Sequence, residues 1–171
     1  HWLHKVKSKA SGWQGAGELG GGGMRWTGKP LEPFSYPKEV MIPDSHVDLL
    51  AWDTKSFAHI ATLGPDGEPQ TSPVWFDWDG TNIKFSLTTE RQKYRNLDRD
   101  KRVALSVIDP ENAYRYIEIR GVLEDVEPDP DIDFISRMAK KYIDKDRYPW
   151  HKEGDERVVM KVRPIRVSGM G

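Results

Sequence analysis

The sequence predicts a mainly β domain, a barrel or sandwich of six antiparallel strands with few helices. Three observations carry this prediction. Apolar and polar residues alternate over short runs, the period of a half-buried strand. Turn signals built from Gly, Pro, Asp and Asn separate these runs at close intervals. Strand-like runs do not alternate with helical ones, which argues against a parallel βαβ sheet.

The elements follow in chain order. Ser45 can cap a short helix carrying Val47, Leu50 and Ala51 on one side. Phe57–Leu63 reads as the first strand and ends at the turn Gly64-Pro65-Asp66-Gly67. Glu68–Trp78 reads as one strand ending at Asp79-Gly80, a hairpin signal. In Asn82–Thr88, residues Ile83, Phe85 and Leu87 alternate with Lys84, Ser86 and Thr88. A basic helix over about 90–98 follows. Arg102–Ile108 puts Val103, Leu105 and Val107 on one face, and Asp109-Pro110-Glu111-Asn112 turns the chain. Tyr114–Val126 is a long strand, with Ile117, Ile119 and Leu123 on one face. Pro128 and Pro130 stop it. A helix over about 131–144 aligns Ile132, Ile135, Met138, Ala139 and Tyr142. Arg157–Val167 is the last strand.

Residues 1–42 differ from the rest. Gly20–Gly23 is a run of glycines, and no apolar period is visible. This stretch reads as a flexible arm or as expression-derived sequence, with Met24 or Met41 as possible natural starts. The ordered domain is then 43–171.

Composition removes several classes. The 171 residues suffice for one domain with its own core. The 26 basic and 27 acidic side chains nearly cancel, so no global charge attracts nucleic acid or membrane. The absence of cysteine excludes a disulfide scaffold, a thiolate metal site and a Cys nucleophile. No apolar run is long enough to span a bilayer, and a cytoplasmic location is the default expectation. The five histidines are scattered, so no metal site is expected. His59 reads as a sheet histidine and His46 as a surface one. There is no GxSxG, HExxH, GxGxxG or P-loop.

The richest segment is Ser86–Leu97, SLTTERQKYRNL. A strand ends in hydroxyls and runs into a basic helix. Thr89 with Gln92 three residues later fits a capping box. A helix start offers free N–H groups and the positive end of a dipole. Arg91, Lys93 and Arg95 add cations within the first turns. Together these make a seat for a phosphorylated ligand. Residues 91–102 hold six Lys or Arg, but Asp98 and Asp100 interrupt them and the domain is not basic, which disfavours nucleic acid. Trp75, Phe76 and Trp78 on one strand, with Tyr114 and Tyr116 on another, exceed what one small barrel can bury. A flat ligand in a cleft between two subunits would use the surplus.

Three stretches, HIATLGPDGEPQTSPVWFDWDG, IKFSLTTERQKYRNLDRDKRVALSVIDPEN and YRYIEIRGVLEDVE, resemble the split β-barrel flavin- and deazaflavin-binding proteins, relatives of pyridoxamine 5′-phosphate oxidase. The resemblance covers roughly 43–169 and is strongest to the branch that uses coenzyme F420, with FMN as the alternative cofactor. It implies a homodimer of six-stranded Greek-key barrels with cofactors in the clefts between subunits. It implies a hydride-transferring oxidoreductase that takes a small unsaturated or electron-poor substrate; the alternatives are an FMN-dependent oxidoreductase of the same fold or a non-catalytic carrier that binds a flavin or haem. By position, Arg91, Lys93 and Arg95 would contact the cofactor phosphate and Asn96 would brace their loop. Ser86, Leu87, Thr88 and Thr89 would flank the ribityl chain and ring edge. Ser72, Pro73, Val74 and Trp75 would line the other side of the ring. The resemblance names no catalytic dyad, since such a cofactor brings its own chemistry. Tyr116 is one candidate proton donor, and 143–156 can shape the substrate pocket.

Overall fold

Alternation in the sequence becomes alternation in burial. In the computed structural model, which describes residues 40–171, β1 (Ala58–Leu63) sends Ala58, Ile60 and Thr62 inward. β4 (Ile83–Thr88) buries Ile83, Phe85 and Leu87, while Lys84, Ser86 and Thr88 face the other way. β5 (Arg102–Ile108) and the first half of β6 (Tyr116–Pro128) repeat the pattern. β7 (Arg157–Met170) buries Val158, Val159, Met160 and Val162. Expectations for 1–39, including the flexible arm, lie outside the described residues.

The expected single strand 68–78 is two strands. β2 (Pro69–Val74) pairs with β1, and β3 (Asp77–Trp78) pairs with β4. The sheet therefore has seven antiparallel strands, in the order β2-β1-β5-β6-β7-β4-β3. This order has a strong geometric consequence. β2 and β3 are its opposite edges, yet only Trp75 and Phe76 lie between them. Three peptide steps reach at most about 11 Å, whereas seven flat strands would set the edges about 29 Å apart. The sheet must curl until its edges meet at Trp75–Phe76.

One side chain holds that crossing. The Tyr142 hydroxyl donates to the Ser56 carbonyl at 2.7 Å and accepts the Phe76 N–H at 3.3 Å. Phe76, fully buried, turns into the barrel core, while Trp75 turns out and stacks on Tyr142 at 5.3 Å. The aromatic surplus on this strand is thus divided between two cores of one chain. The main core fills the curled sheet around Ile60, Phe76, Phe85, Leu105, Ile119 and Met160. A second cluster forms on α2 (Asp133–Ile143), where the predicted stripe of Ile132, Ile135, Met138 and Tyr142 packs against Trp75, Phe134 and Tyr148.

Local chemistry explains the turns and one close approach. Gly67 and Gly80 have φ of 82° and 93°, which only glycine adopts without strain. Asp79 Oδ1 accepts the N–H groups of Thr81 and Asn82, fixing the β3–β4 hairpin. In β6 the register shifts at Arg120/Gly121, where a Cβ would sit 2.5 Å from Val162 Cγ1.

Two smaller expectations are revised. The first helix is a single 3₁₀ turn, Val47–Leu50, that buries Leu49 and Leu50 and leaves Val47 exposed. His46 is buried rather than on the surface. Its Nδ1 meets Ser45 Oγ at 2.8 Å and its Nε2 meets the Met170 carbonyl at 3.2 Å. His59 points outward from β1 and is exposed.

Candidate functional site

A cleft of about 480 Å³ opens where the ends of β2 and β4 meet the start of α1 (Gln92–Arg99) and the segment before β7. Lys93 defines one end. Its side chain is only 7% exposed, and its Nζ donates to Ser72 Oγ at 2.6 Å. Among the described residues no carboxylate pairs with it. Burial pulls the Lys93 ammonium down to about 8, and repulsion from Arg91 adds to the effect. Arg91 caps the helix backbone from an extended conformation and borders the same space.

The helix carrying these cations is fixed from behind. Asn96, fully buried, donates through Nδ2 to Thr62 Oγ1 at 3.1 Å and to Gln70 Oε1 at 3.2 Å. Its Oδ1 accepts from Gln92 Nε2 at 2.8 Å. Arg99 Nη2 donates to the Leu63 carbonyl at 2.7 Å, so this arginine is an anchor to β1 rather than the solvated residue its place at the helix end suggests. Leu97 is buried in the main core.

The helix start departs from the capping-box expectation. α1 begins at Gln92, its N-cap is Arg91, and no side chain caps it. Gln92 is committed to Asn96, and Thr89 Oγ1 points to Glu156 Oε2 at 3.4 Å. The Tyr94 N–H donates to the Arg91 carbonyl at 3.0 Å, and no side chain caps the helix start.

Of the residues singled out in the sequence, Ser72, Pro73, Val74, Trp75, Ser86, Leu87, Thr88, Arg91 and Lys93 border the cleft. Thr89, Arg95 and Asn96 do not. Arg95 is turned away, with Nη2 on the Glu90 carbonyl at 2.8 Å, and Asn96 sits behind the helix. Tyr116 lies between Ile108 and Met170 on β6 and is not in the lining. Sequence reasoning missed Phe57, Gln70, Gln92, Ile135, Tyr148 and Arg157. Tyr148 falls within 143–156, the stretch flagged as able to shape a pocket. Arg157 gave no local signal, because its place depends on pairing with Thr88.

The far end of the cleft is aromatic. Trp75 meets Tyr148 edge-on at 6.1 Å, and Tyr148 meets Trp150 edge-on at 5.5 Å. The Arg157 guanidinium lies 4.6 Å from the centre of the Tyr148 ring. The lining contains Arg91, Lys93 and Arg157 but no carboxylate. A buried cation without a counter-ion is costly, and an anionic group in this cleft would supply one. The donor set therefore fits a phosphate-bearing cofactor with a flat apolar ring.

A curled antiparallel sheet with a cation-lined cleft at its seam is the frame of an oxidoreductase fold family, and the comparisons identify it. Residues 42–171 match the family model described as pyridoxamine 5′-phosphate oxidase. The chain belongs to this family. It is similar to a solved structure of an F420 reductase, with 42% identity, a TM-score of 0.66, and coverage of 74% of this chain and 98% of that one. A conserved hypothetical protein from Mycobacterium tuberculosis matches at 20% identity and TM-score 0.57, over 80% of this chain and 89% of that one. HupZ from Group A Streptococcus matches at 18% identity and TM-score 0.51, over 75% and 94%. At such identities the last two show the fold alone. Comparison with curated proteins gave no match.

Proposed function

We propose that this protein is a reductase that takes hydride from reduced coenzyme F420 and delivers it to a small unsaturated or electron-poor molecule. One observation carries the reading. Lys93 lies buried beside Ser72 without a carboxylate partner among the described residues, in a chain 42% identical to an F420 reductase. Arg91, Lys93 and Ser72 would hold the cofactor phosphate. Ser86 and Thr88 would meet its polar chain, and Pro73, Val74 and Trp75 its ring. The cofactor, when bound, supplies a hydride. The chain's own residues bind, orient and exclude water: Asn96 keeps the α1 cations in register with β2, and the aromatic end keeps the reacting space dry.

FMN is the second reading, favoured by the family match itself. Its phosphate would satisfy the same cations. Titrating the isolated protein with each cofactor separates them. Tight F420 binding with turnover of an electron-poor acceptor supports the proposal. Tighter binding of FMN overturns the cofactor assignment, and binding without turnover makes the protein a carrier.

The reading includes a homodimer in which a second copy covers the open side of the cleft, near exposed Phe57 and Trp150. Sedimentation at micromolar concentration should show twice the chain mass, and a monomer alone would remove this part. Among the described residues no helix is long and apolar enough to cross a membrane. We take the reaction to occur in the cytoplasm.

A further inference from the structure

We propose that Lys93 is a carbon dioxide site: when no cofactor holds the cationic end of the cleft, its Nζ closes on the carbon of carbon dioxide and forms a carbamate. The site stands on the geometry of that end alone. Only its competition with the cofactor rests on the reductase reading.

Two lysines are buried among the described residues, Lys93 and Lys141, and they are set in opposite ways. Lys141 Nζ donates to the Ala51 carbonyl at 3.0 Å and lies 5.2 to 5.7 Å from the centres of the Phe76, Tyr142 and Trp52 rings. Asp77 and Asp53 support its charge. These neighbours favour the ammonium, and Lys141 is not in the lining of the cleft. Lys93 does line the cleft, and its Nζ meets only a hydroxyl, Ser72 Oγ at 2.6 Å. Burial and Arg91 both oppose its charge. A lysine desolvated beside another cation is held partly as the free amine, which is the nucleophile.

The surroundings suit the product as well. Carbamate formation turns a positive group into a negative one. The cleft offers Arg91 and Arg157 and no carboxylate, so the carbamate meets counter-ions where the ammonium meets like charge. The Nε of Arg157 is buried without a hydrogen-bond partner. Ser72 Oγ accepts from the ammonium and, because a hydroxyl works both ways, can donate to a carbamate oxygen. An aldehyde would leave a cationic iminium here and gain none of this. In the step itself the amine lone pair forms the N–C bond, one C=O π pair moves onto oxygen, and the amine proton leaves to water. No oxidant or further reactant is required.

The test equilibrates the isolated full-length protein with isotope-labelled carbon dioxide in phosphate-free buffer. Carbon NMR detects the carbamate, and O-alkylation followed by peptide mass spectrometry locates it. Label should map to Lys93 at about tenfold or more its level on any exposed lysine, with the α-amino group as the other reactive amine. Lys141 should stay unlabelled. Lys93→Arg should lose this label and keep that on the α-amino group. Ser72→Ala should cut occupancy of Lys93 about threefold to tenfold. Inorganic phosphate or F420 should displace the label.

Label confined to the α-amino group, or spread evenly over exposed lysines, overturns the proposal. That result comes from the wild-type protein and holds whether or not the variants fold. Label on Lys93 that persists while F420 binds would leave the carbamate standing and remove the phosphate seat from this lysine. An unlabelled Lys93, in a protein whose F420 binding is lost on Lys93→Met, would overturn the carbamate and leave the seat in place.

Discussion

The two ends of the cleft are built in opposite ways. The cationic end comes from one short segment, Arg91–Lys93 on the start of α1, set against Ser72 of β2. The aromatic end is assembled from remote pieces: Trp75 after β2, Tyr142 on α2, Tyr148 and Trp150 beyond it, and Arg157 on β7. The first end stores unfavourable charge in the folded protein. The second is part of the packing that holds the barrel seam closed. The contrast teaches that one end can change with little harm to the fold, whereas the other is scaffold and site together.

The largest expected effect tests the scaffold role. Tyr142→Ala should cost about 3–5 kcal/mol of stability in urea unfolding, the range for deleting a large buried side chain. Tyr142→Phe should cost about 1–3 kcal/mol, because the Phe76 N–H loses its hydroxyl partner. Near-neutral results would mean that the seam closes without α2.

Next comes the charge at the other end. Lys93→Met should weaken cofactor binding about tenfold to hundredfold, the worth of a charge-assisted contact. The melting temperature should stay level or rise, since a buried unpaired cation is removed. A large fall in melting temperature would erase the distinction between the two ends.

The pH dependence should follow the same lysine. With Lys93 titrating near 8 in the free protein, an anion meets a full charge below that pH and a fading one above it. Affinity should therefore fall as pH rises past about 8, by up to tenfold per pH unit. Lys93→Arg, which stays charged, should flatten this profile. The sign for folding is the reverse. The unfolded chain holds this proton up to about 10.5, so between about 8 and 10.5 it binds more protons than the folded one. Stability from this group rises with pH across that window.

Smaller effects remain at the helix. Arg99→Ala should cost about 1 kcal/mol through the lost bond to the Leu63 carbonyl and leave cofactor affinity unchanged. Arg95→Ala, exposed and pointing away, should change affinity by less than about twofold. A larger loss on Arg95→Ala would place the anion on the outer face of α1.

These contrasts track what the sequence could reveal. Strand alternation, the Gly67 and Gly80 turns and the stripe on α2 are local patterns, and they read correctly. The cationic cluster was legible because its residues are neighbours in the chain. The break at Trp75–Phe76 was not, because alternation alone continues through it. What decides it is a hydroxyl 66 residues away. The same holds for Arg157, placed by register with Thr88. His46 is packed closely on Gly169, where a Cβ would lie 3.0 Å from its Nε2, a contact between positions far apart in the chain. The capping box failed for a competing reason, since Gln92 has a better partner in Asn96 than in the backbone behind it.

The position of β7 in the sheet has a bearing on how the protein is made. It is the last of the described strands, yet it lies between β6 and β4 and pairs with both. Before it emerges from the ribosome, the chain can form only two separate ribbons, β2-β1-β5-β6 and β4-β3. Each ribbon leaves a long unpaired edge, the kind of surface on which nascent chains associate wrongly. Arg157 arrives with this closing strand, so the cleft is completed in the same event that joins the ribbons. A ribosome-stalled chain lacking β7 should be protease-sensitive and unable to hold the cofactor, whereas the released chain acquires both protection and binding together.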